Sequence, residues 1–229
     1  MMMRLQDMFK RGEKQTLKPV KTHGTLKRAT LSKLTQRTLG SGNLRLAVEC
    51  PPDEDIDEWL AANTVDFFNE ISLLYGLVID DAAQFTKPGE GFPPGFEYRW
   101  GESNTKKPIR VSSPEYVDYV MTWVEDQLDN EAIFPTLEDE DFPDNFIDYM
   151  KDIYKRLFRI FAIMYHRHFH VFEELEAQAH LNTCFKHFLF FCLRYDLVED
   201  KELLALEGPV KRLKQEYKDQ ELEGEHVMD

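Results

Sequence analysis

The sequence lacks the features that mark secreted and membrane-inserted proteins. Its three cysteines, Cys50, Cys184 and Cys192, are an odd number without CxxC spacing, which argues against a disulfide framework and against a zinc ribbon. No apolar run approaches the roughly 18 to 20 residues needed to cross a bilayer. The first residues, MMMRLQDMFKRGEK, contain no apolar signal-peptide segment. We therefore expect an intracellular protein that does not insert into membranes.

The motifs of common enzyme classes are also missing. The chain contains no GxSxG, no GxxxxGK[ST] and no kinase set of GxGxxG, HRD and DFG. The glycine pair Gly40-Ser41-Gly42 is too short for a phosphate-binding loop and is typical of a turn. Carboxylates are abundant, but abundance in an acidic protein does not make an acid/base pair. We therefore expect a protein that is not an enzyme.

Basic residues are scarce except near the amino terminus. The chain has 28 Lys and Arg against 42 Asp and Glu, a net charge of −14. Residues 1–48 carry eleven basic and two acidic residues, a net +9, which leaves seventeen against forty, a net −23, for residues 49–229. Because like charges repel a phosphate backbone, the acidic part argues against nucleic acid as the main ligand and favours a basic protein partner.

Helical periodicity dominates what remains. The run from Phe146 to Val171 places apolar residues along one broad face, with a second apolar helix from Glu173 to Asp196. A short β-hairpin is predicted between Phe96 and Val111. We count four or five substantial helices and no repeats, which indicates a mainly α helical bundle. We assign residues 1–40 to a basic, mostly disordered arm with a short helix near 26–34, residues 41–218 to one domain, and residues 219–229 to an acidic flexible tail.

An acidic helix follows the turn. Glu54, Glu58 and Asp66 are expected to form an acidic, exposed side next to an exposed Trp59. Such a side is either a solvated helix face or a surface that receives a basic amphipathic helix.

A basic cluster lies on the predicted central helix. Lys155, Arg156 and Arg159 fall opposite its apolar stripe, within roughly 40° to 100° of one another by the helical repeat. Three cations at this spacing match the oxygens of a phosphate group. The alternative is a solvated helix face.

Three histidines end the same helix and raise the question of a metal. Positions i and i+2 point about 200° apart on a helix, so His166, His168 and His170 cannot converge on one ion. His166 and His170 are four residues apart and could chelate a surface metal, which leaves a metal-dependent hydrolase as the weakest alternative. His168 is expected in the core.

Five stretches in order resemble the Mob (Mps-one-binder) kinase-activator family, and the resemblance runs from about Thr38 to the end of the last helix. The matching stretches are TLGSGNLR at 38–45, EWLAANTVDFFN at 58–69, YVDYVMTWVEDQL at 116–128, KRLFR at 155–159 and HLNTCFKHF at 180–188. The likeness is greatest to the branch that partners NDR/LATS kinases.

This resemblance implies a four-helix bundle with added helices that acts as a non-catalytic co-activator, without a cofactor and as a monomer on its own. It implies that Glu54, Glu58, Trp59 and Asp66 receive the basic N-terminal regulatory region of an NDR/LATS-type AGC kinase. It also implies that Lys155, Arg156 and Arg159 bind a phosphorylated Ste20-like kinase or scaffold. The pathway would be Hippo or mitotic-exit-like signalling in cell division, in the cytoplasm and also in the nucleus or at division structures. The alternative is a phocein-like adaptor in a striatin phosphatase–kinase assembly.

The resemblance further implies that Thr16 and Thr38 are phosphorylated by the upstream kinase. Phosphate would add negative charge to the basic arm and weaken its hold on an acidic body.

One family feature is missing. Mob proteins usually hold zinc with two cysteines and two histidines, whose positions here are occupied by Ala82, Lys87, Ile163 and His168. Since one ligand of four remains, we predict no zinc at this position. Ala82 and Ile163 are expected to make an apolar contact instead, with Lys87 pointing outward.

Overall fold

Helices make up most of the computed structural model, which describes residues 21–39, 44–101, 107–137 and 140–225. The helices are α1 (Leu26–Leu39), α2 (Leu44–Ala47), α3 (Ile56–Gly76), α4 (Ile79–Ala82), α5 (Ser113–Leu128), α6 (Phe146–Arg167), α7 (Phe169–Glu174), α8 (Gln178–Tyr195), α9 (Asp200–Leu203) and α10 (Glu207–Glu225), with a 3-10 turn at Leu204–Leu206. Strands β1 (Arg99–Trp100) and β2 (Ile109–Arg110) form a small antiparallel hairpin. The prediction of a mainly α fold with a short hairpin is confirmed. No helix in the described part of the chain is long and apolar enough to cross a membrane.

Helix α3 lies at the centre of the bundle. Asp55 caps its first turn by accepting hydrogen bonds from the backbone N–H groups of Asp57 and Glu58. Its buried residues occur on nearly every side of the helix, because α1, α5, α6 and α8 all pack against it. Its acidic residues are Asp57 and Glu58 in the first turn, and Asp66 and Glu70 further along the helix, four positions apart.

Helix α6 buries the predicted apolar stripe. Residues along that stripe are fully buried, including Met150, Leu157 and Phe161. Its partner α8 buries three of the phenylalanines predicted for the core, Phe185, Phe188 and Phe191. Aromatic rings from both helices meet those of α3, as in the edge-to-face contact of Phe67 with Phe188 at 5.3 Å. The core of the bundle therefore lies between α3, α6 and α8.

Two helical boundaries differ from the prediction. The central helix ends at Arg167, and the chain turns at His168 before the short α7, whereas the periodicity predicted one helix through Val171. The second apolar helix begins at Gln178 rather than Glu173, after Glu176 adopts a positive φ of 55°. These breaks change the direction of the chain, so the three histidines do not share one helical register.

The segment assigned to the arm contains more helix than predicted. Where a short helix near 26–34 was expected in a mostly disordered arm, α1 extends from Leu26 to Leu39 and packs against α3. Leu31 and Arg28 on this helix are buried. Residues 21–39 therefore form part of the packed structure.

Candidate functional site

The acidic face of α3 is covered by the arm. Each of the three predicted kinase-binding carboxylates is paired with a basic residue from 23–28. His23 Nε2 lies 2.8 Å from Asp66 Oδ1, Lys27 Nζ lies 3.4 Å from Glu54 Oε2, and Arg28 Nε donates to Glu58 Oε2 at 2.7 Å. The structure thus brings Glu54, Glu58 and Asp66 together as the binding surface for a basic segment of the same chain.

Arg28 is the most buried of these cations. Its side chain donates from Nη2 to the carbonyl oxygen of Pro135 at 2.7 Å and lies over the ring of Phe142 at 5.1 Å. Only 2% of the residue is exposed. Because a buried charge is costly unless it is paired, the contact with Glu58 is needed for this arrangement, and loss of either partner should release this part of the arm.

The start of the described arm is held by backbone hydrogen bonds. Lys21 donates its N–H to Asn69 Oδ1 at 2.8 Å and accepts a bond from Asn69 Nδ2 at 3.0 Å. Its ammonium group lies 2.6 Å from Asp129 and 3.2 Å from Glu125. Burial lowers the pKa of Lys21, but these two carboxylates outweigh that effect and raise it. The arm is therefore attached at both ends of its path across α3.

Trp59 is not part of the exposed surface. The prediction placed it beside the carboxylates as an exposed anchor, but the residue is 1% exposed and its Nε1 donates to the carbonyl oxygen of Val48 at 3.3 Å. The reason is that α3 is covered on all sides, which a helical projection of α3 alone does not reveal. Trp59 contributes to the acidic face by supporting the helix from within.

A cavity lies beneath the arm. It has a volume of about 450 Å³ and is lined by residues of the arm, α1, α3 and α8, among them Glu70 and His187. Burial, with a contribution from Asp66, raises the pKa of Glu70 to about 7. Burial lowers the pKa of His187 to about 4, against an opposing effect of Asp66. Sequence reasoning missed Glu70, although the spacing of Asp66 and Glu70 by four positions on one helix was a signal for this second carboxylate.

The predicted phosphate-binding residues also lie together, but they are less exposed than expected. Lys155 Nζ lies 2.6 Å from Asp152 at the surface. Arg156 is only 7% exposed: its guanidinium stacks 4.9 Å from the Trp100 ring and 4.6 Å from the Trp123 ring, and it donates to the Gly101 carbonyl oxygen at 3.3 Å. The prediction that all three cations lie opposite the core was therefore wrong for Arg156, because the hairpin and α5 cover that side of α6.

Arg159 is already bound to an anion. It donates to Glu202 from Nε at 3.0 Å and from Nη2 at 2.8 Å, a bidentate arrangement, and from Nη1 to the Tyr116 hydroxyl at 3.1 Å. Burial lowers its pKa, but Tyr116 and Glu202 outweigh this and raise it. The Glu202 carboxylate occupies the donors that a phosphate would need, which sequence reasoning did not identify.

The histidines have separate partners. His166 Nε2 lies 2.7 Å from the carbonyl oxygen of Ala205, while His168 Nδ1 lies 2.7 Å from Asp81 Oδ2 and His170 Nε2 lies 3.5 Å from Asp81 Oδ1. No group of three or more potential metal ligands occurs in the described residues. His166 and His170 therefore do not form the surface chelate on which a hydrolase would depend.

The four positions of the family's zinc ligands do not fit a zinc ion. Ala82 and Ile163 are fully buried hydrocarbon side chains, and Lys87 is exposed. His168 is buried and directs its Nδ1 towards Asp81, and burial lowers its pKa although Asp81 opposes this. One imidazole among two hydrocarbon groups and an ammonium group is not a zinc donor set. The contact between Asp81 and His168 instead links α4 to the end of α6.

The two predicted phosphorylation sites are Thr16 and Thr38. Thr16 lies outside the residues that the structure describes. Thr38 lies in the last turn of α1, which ends at Leu39. A negative charge is unfavourable at the carboxyl end of a helix.

Comparison with known proteins assigns the chain to a family. The sequence model of the Mob1/phocein family matches residues 36–206. The chain belongs to this family. It is 48% identical over 209 residues to MOB kinase activator-like 1 homolog B of Dictyostelium discoideum, with 90% of this chain and 96% of the relative covered. It is 50% identical over 198 residues to MOB kinase activator-like 1A of Medicago sativa subsp. falcata, with 86% and 92% covered. The resemblance to Mob kinase activators is thereby confirmed.

Proposed function

We propose that this Mob protein is a non-catalytic adaptor whose acidic face binds the basic N-terminal regulatory region of an NDR/LATS-type AGC kinase. One observation carries the proposal: Glu54, Glu58 and Asp66 each pair with a basic side chain of the arm. A surface that binds a basic segment of its own chain has the charge and spacing to bind a similar helix from a partner. The curated relatives, whose names identify them as kinase activators, favour this over the phocein-like alternative.

The arm and the kinase segment compete for the same carboxylates in this proposal. The kinase gains access when the arm leaves, and phosphorylation of Thr16 and Thr38 promotes its departure. At Thr38 the phosphate adds negative charge to the last turn of α1, which opposes the helix dipole and weakens the helix that carries Arg28. The protein acts in the cytoplasm, and in the nucleus or at division structures, within Hippo or mitotic-exit-like signalling.

The basic cluster supplies the second half of the proposed adaptor. Lys155, Arg156 and Arg159 receive a phosphorylated Ste20-like kinase or scaffold. The side chain of Arg156 is held in place by two aromatic rings, so little side-chain entropy is lost when it binds a phosphate. Arg159 becomes available when the phosphate displaces Glu202 from its donors.

Variants with exchanged charges test the proposed binding of the kinase segment to the acidic face. The full-length protein is titrated by calorimetry with the N-terminal regulatory segment of an NDR-type kinase. Arg28→Gln removes the pairing with Glu58 and is expected to increase affinity by about tenfold, the value of one charge-assisted hydrogen bond. The double exchange Arg28→Glu with Glu58→Lys keeps an ion pair between the arm and α3 but replaces a carboxylate of the acidic face by an ammonium group. This double variant should not bind the basic kinase segment. Thr38→Glu should increase affinity.

A control variant distinguishes an effect of the acidic face from an effect of the overall charge of the protein. Glu174→Lys reverses an exposed carboxylate on α7, outside the acidic face and the arm, and should leave the affinity within about twofold, as expected for a distant exposed charge. Wild-type affinity in the double exchange, or no binding of any variant to the segment, would contradict the proposal.

A separate titration tests the proposed binding of a phosphorylated partner to the basic cluster. A phosphothreonine peptide from a Ste20-like kinase is compared with its unphosphorylated form. Lys155→Ala should weaken only the phosphorylated peptide, whereas Lys151→Ala on the same helix should not. Equal affinities of Lys155→Ala and wild type would leave Lys155 without the proposed role.

A further inference from the structure

A second cavity lies on the molecule where neither half of the proposed function requires one. It has a volume of about 390 Å³ and is formed by the end of α3, by α4 and by the start of α5. Its wall is mainly hydrocarbon, from Ile79, Ala82, Ala83, Phe85, Pro114 and Val117. This size and apolar lining are those of protein pockets that take an organic group.

One buried polar group lining this cavity has no hydrogen-bond partner among the described residues. The hydroxyl group of Tyr75 is unpaired, and the residue is only 6% exposed. Burial raises the pKa of Tyr75, and the nearby Asp118 carboxylate, which also lines the cavity, raises it further. The hydroxyl therefore keeps its proton. An unpaired buried hydroxyl is destabilising, and a group that enters the cavity and bonds to it would remove that cost.

The charge of the cavity selects the kind of group. Its ionisable lining residues, within the described part of the chain, are Tyr75, Glu115 and Asp118, and none is basic. Glu115 accepts hydrogen bonds from the Ser112 backbone and hydroxyl, which fixes its carboxylate at the start of α5. Asp80 is exposed on the neighbouring α4. An apolar volume beside carboxylates is complementary to an aromatic group with positive charge next to it.

We propose that this cavity is a docking pocket for an aromatic side chain carried by a basic segment of a partner protein. The aromatic ring enters between Ile79 and Val117, and a flanking Lys or Arg lies near Asp118. The pocket shares no lining residue with the acidic face or with the basic cluster. Ala82 contributes a methyl group at a position where the family usually has a zinc ligand, so an organic group meets hydrocarbon there. The adaptor thus has a third contact surface.

A short peptide tests the pocket directly. The full-length protein, labelled with ¹⁵N, is titrated with acetyl-Lys-Trp-Lys-amide and followed by NMR. Shifts are expected at residues of α4 and at the start of α5. Acetyl-Lys-Ala-Lys-amide should produce none of them, and acetyl-Glu-Trp-Glu-amide should bind at least about tenfold more weakly because its charges face carboxylates. Shifts confined to the acidic face, or equal shifts with the alanine peptide, would overturn the proposal.

Two variants distinguish the pocket from a general effect of charge. Tyr75→Phe removes a buried hydroxyl that has no partner among the described residues, so it should raise the thermal midpoint slightly. It should also weaken binding of the tryptophan peptide by about fivefold, the value of one hydrogen bond. Ala83→Trp fills the cavity from an exposed lining position and should abolish binding of this peptide. The titration with the kinase segment should be unaffected by Ala83→Trp, so failure here is separable from failure of the proposed function. Unchanged peptide affinity in both variants would refute the pocket.

Discussion

Glu70 and His187 should give this protein two opposite dependences of stability on pH. Both side chains line the cavity beneath the arm. The pKa of Glu70 rises from the ordinary value of 4.5 to about 7, and that of His187 falls from 6.5 to about 4. The variant Glu70→Gln removes the first titration and keeps a side chain of the same shape.

The sign of each effect follows from which state binds the proton. Between pH 4.5 and 7 the folded protein keeps a proton on Glu70 that the unfolded chain has lost, so stability falls as pH rises through this range. Between pH 4 and 6.5 the unfolded chain holds a proton on His187 that the folded protein lacks, so stability rises with pH. Each shift of about 2.5 pKa units corresponds to an upper limit of about 3 kcal/mol. The two contributions cancel over most of the common range in the wild type.

Denaturant unfolding at intervals from pH 4 to pH 8 measures the difference. Relative to wild type, Glu70→Gln should gain up to about 3 kcal/mol between pH 4.5 and 7, with no further change above pH 7. His187→Phe should show the opposite trend, gaining relative to wild type as pH falls from 6.5 to 4. Glu174→Gln, at an exposed position on α7, serves as the control for removal of one carboxylate.

A difference between Glu70→Gln and wild type that stays constant over the whole pH range would refute this reasoning. It would mean that Glu70 is solvated in the folded protein, and hence that the arm does not close over the cavity in solution.

Three further outcomes are expected. Glu202→Gln should strengthen binding of the phosphothreonine peptide by about tenfold, because Arg159 then loses a competing anion; weaker binding by calorimetry would show that Glu202 positions Arg159 instead. Trp59→Ala should lower the free energy of unfolding by about 3 to 5 kcal/mol in denaturant titrations, as for a buried aromatic side chain, and a loss below 1 kcal/mol would contradict its burial. Dialysis against EDTA should leave the thermal midpoint unchanged, while Asp81→Ala should lower it, and a fall on dialysis would reveal a structural metal.

The sequence was informative where a property depends on one helix. The apolar stripe of α6 follows from helical periodicity. The carboxylates Glu54, Glu58 and Asp66 also lie in one stretch of the sequence, just before α3 and along it. Periodicity alone identifies these because each depends on neighbours within four residues along the chain.

What failed depends on packing between distant segments. Trp59 was expected at the surface because its helix was considered without α1 and without Val48. Glu202 is 43 residues from Arg159, and Asp81 is 87 residues from His168. Local patterns contain no information about such pairs, because the two partners are far apart along the chain. The pairing of Arg159 with Glu202, and that of His168 with Asp81 near the zinc position, were therefore found only in the three-dimensional structure.

If the acidic face binds a partner as proposed, the arm that covers it also sets a concentration threshold. A segment tethered to its own binding site competes at an effective concentration of about 1 mM when the linker is short. A partner present at about 1 µM must therefore bind the face roughly a thousand times more tightly than the arm does before it occupies half of the molecules. When a contact of the arm is removed, the arm binds the face more weakly. The affinity that any partner needs then falls by the same factor as the affinity of the arm. Covalent modification of a few arm residues can then allow a partner at this concentration to bind, without any change in the acidic face itself.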